Sequence, residues 1–202
     1  MGHTTSPGHG PAQTHVNMRI FTALDIPEEI RTRLTEFTER ARALAPDARW
    51  ARVEGLHVTL KFIGEVTDAR VQEIQAALPS IKTKPFIARF DGIGFFPNAN
   101  TARVFWAGVD GGIELPQLAT AVDAALEKIG ITREDKPYHP HLTLARAGAH
   151  PLRELKTLAE NPLLPFGEMT AREFFLYQSQ PQKGGSRYIK LERFGLEKLA
   201  QK

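Results

Sequence analysis

A pattern written twice limits how this chain can fold. Leu56-His57-Val58-Thr59-Leu60-Lys61-Phe62 has a second version far downstream, His141-Leu142-Thr143-Leu144-Ala145-Arg146. Both read His-x-Thr-x with aliphatic x. Side chains on a strand alternate between faces. His57 and Thr59 are therefore expected on one face, with Val58, Leu60 and Phe62 on the other. In the second copy His141 and Thr143 share a face opposite Leu142 and Leu144. Each copy reads as a strand glued to a core by its aliphatic face and offering an imidazole and a hydroxyl on the other. His-x-Thr alone says little, since His3-Thr4-Thr5 supplies one in a polar stretch without strand character. The strand setting, the aliphatic alternation and the second copy carry the weight.

The spacing extends the repeat. His57 and His141 stand 84 residues apart, and so do the leading strands that begin at Arg19-Ile20-Phe21 and Arg103-Val104-Phe105. The order strand, helix, motif strand, helix occurs in each repeat. Equal offsets at two landmarks indicate a duplicated unit about a pseudo-twofold axis, with the two motif strands brought together at its centre.

Between these landmarks the chain reads plainly. Arg19–Leu24 is a short strand. Asp25-Ile26-Pro27-Glu28-Glu29 reads as a helix start, with Asp25 as a capping-type residue and acids facing the positive end of the dipole. Ile30, Leu34, Phe37, Ala41 and Leu44 form its apolar face, and Pro46 ends it. Thr67-Asp68 opens a second helix with Val71, Ile74 and Leu78 buried. Phe86–Phe96 reads as a strand with Gly92 and Gly94 as candidate bulges. Asp110-Gly111-Gly112 turns into a third helix lined by Leu115, Leu118, Val122, Ala125, Leu126 and Ile129, ending at Gly130. Pro151 to about Glu160 reads as a short helix. Glu173–Gln178 and Tyr188–Leu191 read as a terminal hairpin around Gly184-Gly185.

At 202 residues, 18–202 reads as one bilobal domain. Residues 1 to about 17 read as a disordered tail or a cloning remnant. His3, His9 and His15 within it lack the spacing of a defined metal site. There are no cysteines, which excludes disulfides and thiolate metal sites and suits a reducing compartment. No apolar run reaches the length of a membrane span and the start has no signal-peptide core, so the cytoplasm is the expected location and no membrane partner is expected. A net charge of +3 is compatible with an anionic ligand without demanding one.

Two imidazoles across a cavity can divide acid and base work near neutral pH. Hydroxyls beside them can donate to oxygens that gain negative charge. Arg146 offers a planar fork suited to phosphate. Regular pleating puts Ala145 on the His141 face and Arg146 away from it, so the use of Arg146 needs a bulge or the strand's end. With no carboxylate cluster or cysteine in the motifs, no metal and no cofactor is expected, and neither a Gly-x-Ser-x-Gly elbow nor a P-loop is present. The remaining option is metal-free acid–base chemistry on an anion, with in-line displacement at phosphorus as the natural candidate.

From Arg19 to about Leu196 the chain resembles the two-histidine (2H) phosphoesterases, specifically the RNA 2′,3′-cyclic phosphodiesterases also called 2′-5′ RNA ligases. The resemblance rests on Arg19-Ile20-Phe21, Leu56-His57-Val58-Thr59-Leu60 with Phe62-Ile63-Gly64-Glu65-Val66, His139-Pro140-His141-Leu142-Thr143-Leu144-Ala145-Arg146, and Leu176-Tyr177-Gln178-Ser179. It implies a bilobal α+β fold in which two antiparallel sheets face each other across a central cleft, helices outside. It implies metal-independent opening of a ribose 2′,3′-cyclic phosphate to a 2′-phosphomonoester. His57 would then be the acid protonating the 3′ oxygen, His141 the base acting on water, Thr59 and Thr143 the holders of non-bridging oxygens, and Arg146 a phosphate contact. RNA ends bearing a cyclic phosphate, tRNA fragments among them, are the implied partners, and a monomer is the expected state.

Two positions depart from the family pattern. Thr22 stands where several members carry a second aromatic, which bears on base stacking there. Tyr138 replaces the commoner Phe before His-Pro-His and reads equally as a stacking surface for a base or as a ring packed at the cleft edge. His139 falls off the motif face and reads as structural. Alternative functions are 2′-5′ RNA end joining, RNA-end binding, and a cyclic phosphodiesterase acting on a small nucleotide.

Overall fold

The computed structural model describes residues 17–160, 164–183 and 185–196. The tail reading, with His3, His9 and His15, lies outside the described residues except for Asn17, and Gly184 of the terminal loop also lies outside them.

Two antiparallel sheets organise the chain. One contains β1 (Met18–Asp25), β3 (His57–Val66), β8 (Glu173–Gln182) and β9 (Gly185–Gly195), in the order β3-β1-β8-β9. The other contains β2 (Arg49–Trp50), β4 (Phe86–Phe96), β5 (Val104–Asp110), β6 (His141–Arg146) and β7 (Pro165–Ala171), in the order β2-β6-β5-β4-β7. Each motif strand lies beside the leading strand of its own repeat, β3 on β1 and β6 on β5. The next neighbour is exchanged. β4 comes after the first motif strand in the chain yet pairs with β5, and β8 comes after the second motif strand yet pairs with β1. The duplication is therefore visible in matching strand orders, and the exchanged strands knit the two halves together.

Helices bridge the same halves. In α1 (Glu28–Arg42), Phe37 packs its ring against Phe105 of β5 and Phe166 of β7, both in the second sheet. α2 (Asp68–Ala77) is capped by the Thr67 hydroxyl, which accepts from the Arg70 amide. α3 (Glu114–Glu127) buries Leu115, Leu118, Val122 and Leu126 and packs on β3 of the first sheet. Aliphatic residues of both sheets and all three helices belong to one continuous core. The fold is α+β, with the sheets meeting at a cleft between the motif strands. Among the described residues no helix is long and apolar enough to cross a membrane.

Several details differ from the sequence reading. Asp25 ends β1 and does not cap α1; Pro27 occupies that position without a side-chain bond, and the Asp25 carboxylate accepts from the Ile26 amide, Arg31 and Lys190. Leu44 is 41% exposed because α1 stops at Arg42 and the chain tightens into turns that bury Ala45 instead. The 153–160 segment is a 3-10 helix. Gly92, at φ +63°, marks the expected bulge in β4. Gly94 does not: the Trp106 indole lies where its Cβ would be, 2.1 Å from the nearest ring atom. β7 has no counterpart in the sequence reading. Pro165 opens it, Gly167 adopts φ +123°, and its burial alternates only weakly, as an edge strand allows.

The most consequential difference lies in the motif strands. The register of β3 against β1 slips so that Thr22 faces Lys61 and Ala23 faces Thr59, leaving Leu60 as an extra residue. In β6 the partner of Phe105 is Ala145 and that of Trp106 is Thr143, leaving Leu144 extra. Both copies thus bulge three residues after the histidine. A bulge reverses the facing of the residues beyond it. Leu60 and Lys61 are both buried, as are Leu144 and Ala145. Phe62 then turns toward the cleft at 60% exposure, against the expectation that it joins Val58 and Leu60, and Arg146 turns toward the cleft by the bulge that its position in the strand called for.

The bulge at Leu60 drives Lys61 into the interior, where its ammonium is ion-paired with Asp123 of α3 and donates to the Thr132 carbonyl at 2.8 Å. This buried pair locks the first motif strand to a helix of the second repeat. Arg133 also reaches the Asp123 carboxylate at 3.3 Å, so it is removal of Asp123 that leaves a buried charge, the Lys61 ammonium, uncompensated, a loss of about 3–5 kcal/mol. Asp123→Ala is therefore expected to destabilise by about that much in urea unfolding, while Lys61→Met combined with Asp123→Leu costs less. A single variant within about 1 kcal/mol of the parent would contradict the assignment.

Candidate active site

Each motif histidine is held the same way. His57 Nδ1 lies 2.7 Å from the Gly55 carbonyl oxygen, and His141 Nδ1 lies 2.7 Å from that of His139. A carbonyl only accepts, so Nδ1 carries the hydrogen in both rings. Nε2 is the basic atom left to the cleft in each neutral ring. Both histidines line one cleft of about 1200 Å³, together with Thr59, Thr143, Arg146, Phe21 and Phe62. The structure thus brings together five residues expected at the site: His57, His141, Thr59, Thr143 and Arg146.

The two rings sit in different settings. His57 packs against Phe21 at 4.5 Å between ring centroids and meets the edge of Tyr188 at 4.8 Å. Gly55 permits this closeness, since a Cβ there would stand 3.0 Å from the Tyr188 ring. Burial lowers the His57 pKa to about 4, opposed by the Gly55 hydrogen bond and by Asp25, while the charges of Arg31 and His141 add to the lowering. The His141 pKa is also lowered, first by burial, against its bond to the His139 carbonyl, with the charges of His139 and Arg146 adding to the shift. Both imidazoles are therefore biased toward the neutral form in the ligand-free cleft. Arg31 also fixes the turn that precedes His57. Its guanidinium donates to Val53 O at 2.7 Å and Leu56 O at 3.3 Å and pairs with Asp25 at 2.5 Å; Asp25 is held in turn by Lys190.

Other residues singled out from the sequence fall elsewhere. Tyr138 does not line the cleft: its hydroxyl donates to Thr59 O at 3.0 Å and its half-buried ring packs on the core, which favours the packed-ring reading. Burial raises the Tyr138 hydroxyl pKa. His139 contributes its backbone carbonyl, while its ring meets Phe96 and Trp106 edge-on. Thr22 is fully buried on the helix side of β1, its hydroxyl without a hydrogen-bond partner, so a side chain at this position faces away from any base. The ring facing the cleft from β1 is Phe21. Phe62, Phe21, Tyr188 and Arg31 escape strand-pattern reading. The bulge in β3 places Phe62, the packing of β1 and β9 beside His57 places Phe21 and Tyr188, and the docking of α1 on the turn before His57 places Arg31.

Charge distinguishes this cleft from its neighbour. Five arginines line it, Arg19, Arg42, Arg49, Arg52 and Arg146, and no carboxylate does among the described residues. A second hollow of about 1030 Å³, which shares His57, Arg42 and Arg52 with the first, adds Asp25, Glu39 and Glu54 to its walls beside Arg31, Arg187 and Lys190. An anion is favoured in the first. No group of three or more His, Asp or Glu side chains suited to a metal ion occurs among the described residues.

Comparison with known proteins agrees with this geometry. The family model for LigT like Phosphoesterase matches residues 24–106 and 109–188. An RNA 2′,3′-cyclic phosphodiesterase of Archaeoglobus fulgidus is 33% identical over 177 residues, covering 88% of this chain and 99% of the relative. One from Thermus thermophilus is 35% identical over 190 residues, covering 89% and 90%. The crystal structure of E. coli LigT complexed with 3′-AMP superposes with a TM-score of 0.72 at 29% identity, covering 91% of this chain and 100% of the other. With both repeats of the chain matched and both motif histidines inside the matched spans, this protein belongs to the LigT-like family of two-histidine phosphoesterases.

Proposed function

We propose that this protein hydrolyses the 2′,3′-cyclic phosphate at RNA ends to a 2′-phosphomonoester, without a metal ion, by acid–base catalysis between His57 and His141. The observation that supports the reading is the matched pair of Nδ1–carbonyl bonds, which leaves Nε2 as the basic atom of two histidines lining one cleft that has no carboxylate among its described residues. The relatives named RNA 2′,3′-cyclic phosphodiesterase supply the substrate class.

In the proposed reaction His141 Nε2 accepts a proton as a water oxygen attacks phosphorus. The bond from phosphorus to the 3′ oxygen breaks in line, and His57 Nε2–H protonates the leaving oxygen. The products are a 2′-phosphomonoester and a 3′-hydroxyl, with His141 protonated and His57 neutral until solvent exchange resets them. Thr59 and Thr143 stand two residues from their histidines on the same strand faces, where their hydroxyls can donate to the non-bridging oxygens. Arg146 neutralises the phosphate charge.

The division of labour follows the family resemblance, because charge disfavours protonation at both rings. Asp25 favours protonated His57 while Arg31 and His141 oppose it, and His139 and Arg146 oppose protonation of His141. Burial opposes protonation of both, and an arriving phosphate anion offsets that penalty. The substrate thus helps to protonate its own acid. Exposed Phe62 offers a ring face to the base.

His57→Ala and His141→Ala are each expected to lower kcat on a nucleoside 2′,3′-cyclic phosphate by about 10²–10⁴-fold, with the parent fully active in EDTA. Full activity in either variant, or loss on chelation, would overturn the reading. On an aryl phosphodiester, whose nitrophenolate leaves without a proton, His57→Ala should recover relative to His141→Ala. Equal loss in both would reverse the acid assignment.

The profile of kcat/KM against pH should be bell-shaped with its maximum on the acid side of 6.5, because both histidines titrate below the ordinary value in the free protein. The kcat profile should lie at higher pH, since bound phosphate raises both. A flat kcat/KM between pH 4 and 8 is the contradicting result.

A further inference from the structure

The cleft carries more positive charge than one cyclic phosphate uses. A ribose 2′,3′-cyclic phosphate is a monoanion, whereas five guanidiniums line the hollow that would receive it. Two of them are placed in an arrangement that works against the fold. Arg49 of β2 lies directly opposite Arg146 of β6, and Trp50 lies opposite Ala145. Residues opposite each other in an antiparallel pair project to the same face, and like charges there are destabilising. Trp50 and Ala145 share the inner face: Trp50 packs edge-on against Phe105, its indole nitrogen donates to Ala45 O at 3.0 Å, and Ala145 is buried. Arg49 and Arg146 consequently share the cleft face, and both line the cavity.

Neither arginine has a carboxylate partner among the described residues. Arg49 donates to the Ala147 carbonyl at 3.1 Å, which uses one of its five N–H groups and none of its charge. Arg40 and Arg153 likewise donate to carbonyls, but neither stands opposite a second guanidinium across a strand pair. Two adjacent, unneutralised guanidiniums on one face of a cleft are what a bound anion would compensate. Arg146 belongs to the motif strand and stands beside the histidines. Arg49 stands one strand spacing further out, about 4.8 Å, with Arg42 and Arg52 lining the cleft beyond it.

We propose that Arg49, opposite Arg146 on the β2–β6 pair, forms a subsite for a second phosphate of the substrate, the one esterified to the 5′ oxygen of the ribose that carries the cyclic phosphate. The proposal rests on the cyclic phosphodiesterase reading given above. A second phosphate can come from two sources, a terminal 5′-monoester or the diester of an upstream RNA strand. Both present the oxygens that a guanidinium fork recognises.

Three substrates test the proposal: a nucleoside 2′,3′-cyclic phosphate, its 5′-phosphorylated form, and a dinucleotide ending in the cyclic phosphate. For the parent protein, kcat/KM should rise by about tenfold or more on adding the second phosphate, the range of one charge-assisted hydrogen bond. Arg49→Gln should bring the ratio of phosphorylated to unphosphorylated substrate close to one. It should also reduce the slope of log kcat/KM against log salt on the dinucleotide by about 0.7. A gain with both phosphorylated substrates supports a subsite that takes either source. A gain with the dinucleotide alone supports a subsite for the RNA backbone. Three equal substrates in the parent overturn the proposal while leaving the phosphodiesterase reading intact, and this comparison needs no variant to fold. A uniform loss in Arg49→Gln across all three, with the parent's preference unchanged, also overturns it by reducing Arg49 to support for the loop at Ala147. Failure of the parent to cleave any of the three defeats the underlying reading instead.

Discussion

The site depends on a hydrogen bond made twice: an imidazole Nδ1–H donated to the carbonyl two residues earlier in the chain. Each bond fixes the tautomer, and each turns the opposite nitrogen into the cleft. Without it an imidazole on a strand could rotate and present either nitrogen. With it both rings are reduced to a single reactive atom before any ligand arrives. The surroundings of the two bonds differ. The Gly55 carbonyl sits in a turn clamped by Arg31, Asp25 and Lys190, whereas the His139 carbonyl precedes Pro140 and its ring is braced against Phe96 and Trp106. A repeated motif thus gives matched geometry in unmatched electrostatics. Acid–base division needs that combination.

The paired bulges complete the site. Regular pleating would leave Phe62 in the core and Arg146 outside the cleft. An extra residue at Leu60 and at Leu144 reverses both. The cost appears at Lys61, which the reversal buries and which Asp123 must neutralise. In the second repeat the equivalent residue is Ala145, which is buried with no charge to satisfy. One structural device therefore supplies an aromatic ring to one side of the cleft and a guanidinium to the other.

Much of this is readable from residues alone. Two-residue alternation locates His57, Thr59, His141 and Thr143, and the 84-residue offset indicates the duplication. Helical periodicity finds the buried faces of all three helices, failing only at Leu44, beyond the last turn of α1. Period counting cannot anticipate the exchange of β4 and β8, because pairing partners are long-range choices with no local pattern. It misses β7 because an edge strand opened by proline and interrupted by glycine has little alternation. The need for a bulge at Arg146 comes from its parity in the strand, but the matching bulge at Leu60 has no such prompt, so alternation puts Phe62 on the wrong face. Asp25 misleads because an acid before Pro-Glu-Glu resembles a cap, whereas its contacts to Arg31 and Lys190 are made through the fold.

The central claim is that both Nε2 atoms address one phosphate. The direct measurement is ¹⁵N NMR of the histidine rings during titration with a nucleoside 2′-monophosphate, with His57→Gln and His141→Gln variants assigning the signals. Both Nε2 resonances should move together on binding, both pKa values should rise, and Nδ1 should stay protonated throughout. If the ligand binds with saturation while only one ring responds, the two histidines do not share a phosphate and the claim fails.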